Sequence, residues 1–128
     1  MDRAEFETTL QPVLAEHGLT CVPYFGLARG FLTGKYRPGA AVDSPRAAGA
    51  SAYLDERGLA VLAVLDDVAA AHGVAQAAVA LAWLAAQPTV AAPLASARSV
   101  DQLADLLPTL SLTLTDAEVE ALSAASRP

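Results

Sequence analysis

The chain has 128 residues, of which 54% are apolar and 17% charged, and its formal net charge is −6. This length and apolar content are sufficient for one compact domain with a core, which excludes an extended disordered chain. The acidic balance excludes a general nucleic-acid or membrane-surface role, because both need a cationic surface.

The first ten residues, MDRAEFETTL, carry acidic groups and lack the apolar stretch of a signal peptide. No apolar run approaches the roughly 20 residues that cross a bilayer. The single cysteine, Cys21, lies between apolar neighbours, and we expect a buried thiol in a reducing compartment. These features predict a cytoplasmic protein with no membrane partner.

The first half of the chain predicts a helix, a strand and a long loop. Apolar residues recur at helical spacing before a His-Gly stop signal, at Phe6, Leu10, Val13 and Leu14. Residues 19–25 predict a buried strand, although Pro23 lies near its end. Residues 27–51 are rich in Gly, Pro and charge and predict a long functional loop.

The second half predicts further helices around a second strand. Residues 53–72 and 75–87 predict helices, the first with an apolar stripe at Leu54, Val61, Leu62, Leu65 and Val68. Residues 89–95 predict a short strand. Two capping boxes then open the last two helices, Ser99-x-x-Gln102 and Thr115-x-x-Glu118.

This order of elements predicts an α/β fold with parallel strands. Two strands alone do not form such a sheet, because parallel sheets have several strands and are buried on both faces. We therefore expect part of a larger fold, whose open strand edges need a partner half or self-association.

The glycine-rich stretch YFGLARGFLTGKYRPG, residues 24–39, follows the first predicted strand. It is not a phosphate-binding P-loop, because that motif needs Gly-Lys-Ser/Thr and here Tyr36 follows Lys35. One interpretation is a solvated turn shaped by Gly30 and Gly34. The other is a loop that binds an anion through Arg29 and Lys35.

The stretch PLASARSVDQL, residues 93–103, leads from the second strand into a capped helix. Free N–H groups at a helix start favour anions, and a neighbouring arginine strengthens such a site. Ser99 serves as the cap, whereas Arg98 has no structural task and suggests phosphate binding. His17 and His72 each precede a glycine and indicate helix ends, not metal ligands.

Three stretches together resemble the aldo-keto reductase family. They are VPYFGLARGFLTGKYRPG, HGVAQAAVALAWLAAQPTVAAPLASARSVDQLADLL and LTLTDAEVEALSAAS, in the family's order. The resemblance implies that residues 1–128 are a C-terminal fragment of the family's barrel domain. It implies a partial TIM (β/α)8 barrel that contains strands seven and eight with flanking helices, near which phosphate groups bind.

The resemblance also implies NADP(H) as the cofactor. The residues that match the family's cofactor contacts are Phe25, Gly26, Leu27, Arg29, Lys35, Arg46, Ser96, Arg98, Gln102 and Asp105. Among these, Arg98 is the candidate for the 2′-phosphate. Two positions depart from the family pattern: Phe25-Gly26 stands where many members have Ser-Pro, and Leu106 where many have Asn.

The family's catalytic Tyr, Lys, Asp and His belong to the first half of its barrel, and no residue of this chain matches them. We therefore expect no catalytic residue and no independent turnover here, although the complete enzyme would reduce a small aldehyde or ketone. The alternative is a non-catalytic nucleotide-binding or assembly fragment that needs a partner half.

Overall fold

A computed structural model describes residues 1–127; Pro128, the last residue of the predicted domain range, lies outside them. Six α-helices lie in the described part of the chain, joined by turns and short 3₁₀ segments. They are α1 (Gln11–Glu16), α2 (Ala47–Ser51), α3 (Glu56–His72), α4 (Gln76–Ala85), α5 (Val100–Leu106) and α6 (Asp116–Ala125). A π-helical segment (Phe6–Leu10) precedes α1, and 3₁₀ segments span Ala28–Thr33 and Leu107–Leu110.

The core lies among α3, α4, α6 and the loop after residue 25. Its largest fully buried side chains are Phe31, Leu62, Leu65 and Val79. Each such side chain contributes about 1.5–3 kcal/mol relative to an exposed position. Four of the five apolar positions predicted for this helix are buried, while Leu54 is half-buried and lies before α3, which begins at Glu56 and not at residue 53. The spacing of apolar residues therefore identified the central helix correctly.

Side-chain caps fix the starts of three helices. Asp55 accepts a hydrogen bond from the Gly58 N–H at the start of α3. The predicted capping box of Thr115 and Glu118 is complete, with both reciprocal bonds present. At α5 only half of the predicted box forms: Ser99 accepts from the Gln102 N–H.

The two predicted strands are present only as a short parallel pairing. Cys21 and Val90 form an isolated parallel bridge, and residues 1–127 contain no longer strand. The Cys21 N–H donates to the Thr89 carbonyl at 2.7 Å, and the Cys21 carbonyl accepts from Ala91 at 2.9 Å. Pro23 and Pro93 have no N–H to extend the ladder, which limits its length.

Two other expectations differ from the structure. Cys21 is half-buried rather than fully buried, because it lines an apolar cavity of about 290 Å³ between the bridge and α3, α4 and α6. The predicted loop of residues 27–51 contains the 3₁₀ segment and α2. Both elements keep the loop compact, since Ala28, Phe31 and Ala50 are buried.

Among residues 1–127, no single helix is long and apolar enough to cross a membrane. Only α3 and α4 taken together reach that length and composition, and they are bent by 99° at their junction.

Candidate functional site

The parallel pairing brings the two predicted cofactor loops together. Beyond the bridge, the Leu94 N–H donates to the Pro23 carbonyl at 2.8 Å. The glycine-rich loop begins directly after Pro23, and the second loop continues from Leu94. A few backbone hydrogen bonds thus place side chains that are about 65 residues apart in sequence beside one another.

An open cleft of about 450 Å³ lies where these loops meet. Its lining residues are Tyr24, Phe25, Leu27, Arg29, Gly30, Arg46, Leu94, Ala95 and Ser96. Five of the ten predicted cofactor-binding residues are therefore in one cleft. The volume falls within the range of small-molecule sites.

The glycine-rich loop reverses direction through left-handed backbone conformations. Ala28, Arg29 and Gly30 have φ values of 47°, 60° and 92°. For alanine and arginine this region costs roughly 1–2 kcal/mol per residue, so the surroundings must hold it. The buried Ala28 and Phe31 side chains do so, together with the Gly30 N–H, which donates to the Leu27 carbonyl at 2.8 Å.

This turn directs Arg29 across the cleft wall. Its guanidinium carbon lies 5.3 Å from the centre of the Phe25 ring, within cation–π distance. On the other side it packs against α2, where a Cβ added to Gly49 would lie 2.6 Å from Arg29 Cδ. A glycine at position 49 therefore leaves the space that the Arg29 side chain occupies.

Gly26 and Lys35 lie beside the cleft without lining it. A Cβ on Gly26 would lie 2.9 Å from Leu84 Cδ2, so glycine lets the loop pack closely on α4. The Lys35 ammonium lies 5.2 Å from the centre of the Tyr36 ring. Its Cε is 3.9 Å from a Cβ position on Gly30, which places the Lys35 stem next to the cleft.

The remaining predicted residues, Arg98, Gln102 and Asp105, are exposed on and before α5 and do not line the cleft. The Gln102 Oε1 atom accepts the Arg98 N–H at 2.9 Å. Helix α5 has only seven residues, and Asp101 in its first turn already supplies a negative charge to its dipole. This local arrangement weakens the predicted attraction of the α5 start for an external anion.

The cleft is electropositive in an otherwise acidic protein. Arg29 and Arg46 line it, and no carboxylate does. Outside the cleft, Tyr53 follows α2 and donates to the Asp2 carboxylate. Burial and that hydrogen bond raise the pKa of Tyr53, while Arg29 opposes the rise. Within residues 1–127, no three His, Cys, Asp or Glu side chains are grouped as metal ligands.

Sequence reasoning did not assign four of the lining residues, Tyr24, Gly30, Leu94 and Ala95, to the cofactor set. Tyr24 packs edge-on against Phe25, with ring centres 6.0 Å apart. Tyr24 is the first residue of the glycine-rich stretch, which was the available signal. Leu94 carried no such signal, because its place depends on its pairing with Pro23.

A family model described as "Aldo/keto reductase family" matches residues 2–127. The chain belongs to the aldo/keto reductase family. A solved structural neighbour implies a family with a TIM-barrel fold. Within residues 1–127 the predicted strands seven and eight are not confirmed, because only the isolated bridge between Cys21 and Val90 forms there. The sequence-based recognition of the family is confirmed.

Individual relatives agree with this assignment. Protein tas of Escherichia coli (strain K12) and Protein tas of Shigella flexneri are each 36% identical over 128 residues, covering 91% of this chain. The solved glycerol dehydrogenase AKR11B4 of Gluconobacter oxydans matches 96% of this chain with 25% identity and a TM-score of 0.76. The chain spans only 36% of the curated relatives and 40% of that solved chain.

Proposed function

We propose that this chain is the C-terminal, NADP(H)-binding part of a cytoplasmic aldo-keto reductase that reduces aldehydes and ketones to alcohols. The observation that supports the proposal is the cleft between the two loops. It combines Arg29, Arg46 and the Ser96 hydroxyl, with no carboxylate among its lining residues. Such a cleft suits a phosphate-bearing ligand, because charge-assisted hydrogen bonds from arginine are strong and specific.

The cleft residues fit the phosphate portion of a dinucleotide. Arg29, Arg46 and the nearby Lys35 would neutralise the diphosphate, and the Gly30 backbone allows close approach. Ser96 would donate a hydroxyl hydrogen bond. The second group, Arg98 with Gln102 and Asp105, would contact the adenosine phosphate beyond the cleft. When bound, NADPH supplies the hydride that a carbonyl accepts.

The experiment that tests this proposal is NADPH titration of the purified chain by calorimetry. We expect saturable binding, and a loss of about 10–100-fold in affinity for Arg29→Gln and for Arg46→Gln, as for removal of one hydrogen bond to a charged group. Arg127→Gln is the matched control, because Arg127 is exposed and pairs only with Glu120, at 3.5 Å. Equal affinity in all three variants would overturn the assignment of the cleft.

The 2′-phosphate contact has a separate test. Arg98→Gln should weaken NADPH binding while leaving NADH binding unchanged, because only NADPH carries that phosphate. An equal loss for both nucleotides would remove Arg98 from this role.

We further propose that the chain alone does not turn over substrate, because the family's proton-donating tyrosine and its partners match none of its residues. The purified chain should give no saturable NADPH oxidation with reactive aldehydes. Saturable activity would overturn this part of the proposal. The alternative is a non-catalytic nucleotide-binding or assembly fragment that needs a partner half, and the single bridge between the paired segments, which leaves their outer edges open, favours it.

A further inference from the structure

The apolar cavity of about 290 Å³ lies between the Cys21–Val90 bridge and the helices α3, α4 and α6. Protein interiors are close-packed and contain few voids larger than a water molecule, so a space of this size is unusual. Two small buried side chains contribute to it, Ala28 of the glycine-rich loop and Ala80 of α4. Among residues 1–127, the cavity and the cofactor cleft share only Phe25. The cavity is therefore a separate space.

The polar groups along the cavity wall already have partners within the protein. The Tyr53 hydroxyl donates to the Asp2 carboxylate, and the Ser126 hydroxyl donates to the Leu122 carbonyl at 2.7 Å. The Trp83 indole N–H donates to a serine hydroxyl of α6 at 3.0 Å. A buried water molecule needs roughly two to four polar partners. The wall therefore favours an apolar occupant over water.

Charged groups line the cavity only along residues 1–3. There the Arg3 Nε atom lies 3.3 Å from the Glu7 carboxylate, and the same guanidinium donates to the Ser123 carbonyl at 3.0 Å. Its central carbon lies 5.3 Å from the centre of the Trp83 ring. These contacts occupy Arg3, so a charged ligand would lose its hydration without gaining a free counter-charge. The wall thus selects against charged molecules.

Aromatic rings are concentrated around this space. Of the three Phe, three Tyr and one Trp in the chain, four line the cavity: Phe6, Phe25, Tyr53 and Trp83. Aromatic rings pack favourably against another ring in edge-to-face or offset arrangements. An apolar protein cavity of about 150 Å³ is sufficient to stay dry and bind benzene. The larger volume here suits a substituted ring or two fused rings.

We propose that this cavity binds an uncharged aromatic molecule of one substituted ring or two fused rings. The ligand packs among the aromatic side chains of the wall, and the Cys21 thiol serves as a small apolar contact from the side of the bridge. Burial of the ligand's apolar surface drives its binding. This inference depends on neither family membership nor cofactor binding.

The test is titration of the purified chain with p-xylene, an uncharged substituted benzene. Trp83 is the only tryptophan and Cys21 the only cysteine, so each gives a single-site signal from the cavity wall. We expect a saturable change in Trp83 fluorescence. Saturating p-xylene should slow alkylation of Cys21 by N-ethylmaleimide at least tenfold. Benzoate, a charged ring of similar size, should change neither signal. NADPH is absent from these measurements, so their failure is distinguishable from failure of the cofactor site.

Matched variants connect the binding to the cavity. Ala80→Leu and Cys21→Leu add side-chain volume from α4 and from the bridge, and each should weaken p-xylene binding at least tenfold in the fluorescence titration. Ala85→Leu is the control, because Ala85 is exposed on α4 and does not line the cavity. Circular dichroism checks that each variant keeps its helices. If a filled variant does not fold, the other variant and the wild-type alkylation rate decide.

Three outcomes would overturn the proposal. The first is the absence of saturable fluorescence change or of Cys21 protection in the wild type. The second is unchanged p-xylene affinity in the folded Ala80→Leu and Cys21→Leu variants. The third is benzoate binding as tight as that of p-xylene, which would show that the cavity takes anions.

Discussion

The helices α3, α4 and α6 and the paired segments 19–25 and 89–95 differ in how completely their groups are satisfied. The helices bury their apolar side chains, and side chains cap the starts of α3 and α6. The paired segments share a single bridge and leave apolar side chains exposed. A helix satisfies most backbone groups within itself, whereas a strand needs neighbours. The same chain therefore holds a largely self-sufficient helical layer beside an incomplete strand layer.

The largest expected effect is loss of packing in the helical layer. Leu62→Ala should lower the free energy of unfolding by about 2–5 kcal/mol, because Leu62 is fully buried and the change leaves a cavity. Leu94→Ala, in the paired segments, should change it by less than about 0.5 kcal/mol, as for exposed positions. Urea unfolding measures both values. Equal losses would show that the two layers are equally packed.

The next largest expected effect is a loss of NADPH affinity when the Arg29 side chain is crowded. Gly49→Ala places a Cβ 2.6 Å from Arg29 Cδ, so the Arg29 side chain must leave its present position. We expect NADPH affinity to fall about tenfold, which corresponds to about 1.4 kcal/mol. Calorimetry of Gly39→Ala provides the control, because a Cβ there meets nothing within 4 Å. Alanine is strained at the φ of 79° that Gly39 adopts, so this control shows the effect of backbone strain without crowding of Arg29. Unchanged NADPH affinity in Gly49→Ala would show that Arg29 does not contribute to nucleotide binding.

Removal of a cap should have a smaller effect that depends on its layer. Thr115→Ala removes a complete capping box from α6 and should cost about 1 kcal/mol. Ser99→Ala removes the cap of α5, none of whose residues is buried, and should cost less of the global stability. Thermal unfolding measures the loss of stability in both variants. A larger loss in Ser99→Ala than in Thr115→Ala would contradict the predicted difference between α5 and α6.

The smallest expected effect is a pH dependence at the junction of α3 and α6. Glu118 accepts hydrogen bonds from the Thr115 N–H and hydroxyl and contacts His72 Nε2 at 2.7 Å. The Thr115 bonds, chiefly, lower the pKa of Glu118 below its usual 4.5. Its stabilising contribution is therefore complete above the unfolded-state pKa and is lost as the pH falls through the lower, folded-state pKa.

Urea unfolding between pH 7 and pH 3 measures this contribution. Glu118→Gln should flatten the acid side of the stability curve, whereas Glu120→Gln, on the exposed side of α6, should leave its shape unchanged. Identical slopes in the wild type and Glu118→Gln would contradict the lowered pKa.

The sequence predicted the helical layer well because its signals are local. Apolar residues at helical spacing identified α3, and the Thr115-x-x-Glu118 pattern located the start of α6. The predicted strands extended further than the observed bridge. Strand length depends on neighbours that the sequence of a single segment does not specify, and Pro23 and Pro93 limit the pairing here.

The candidate site was only partly predictable for a similar reason. The glycine-rich loop was recognisable from its own residues, and resemblance supplied Arg46 and Ser96. Their closeness to Arg29 depends on the left-handed turn at residues 28–30 and on the hydrogen bond from Leu94 to Pro23. The resemblance could not show that Arg98 lies outside the cleft, because that depends on how the second loop leaves the paired segments.

The sequence by itself determined the family, the helices with their caps, and the residues from which a nucleotide site could be built. Each depends on spacing within a few turns of chain or on motifs in a fixed order. Only the tertiary structure decided that Arg29 and Arg46 share one cleft, that the two predicted strands pair at a single bridge, and that Val22, Tyr24 and Leu94 remain exposed. These features arise from contacts between distant segments, whose free energy no local pattern records.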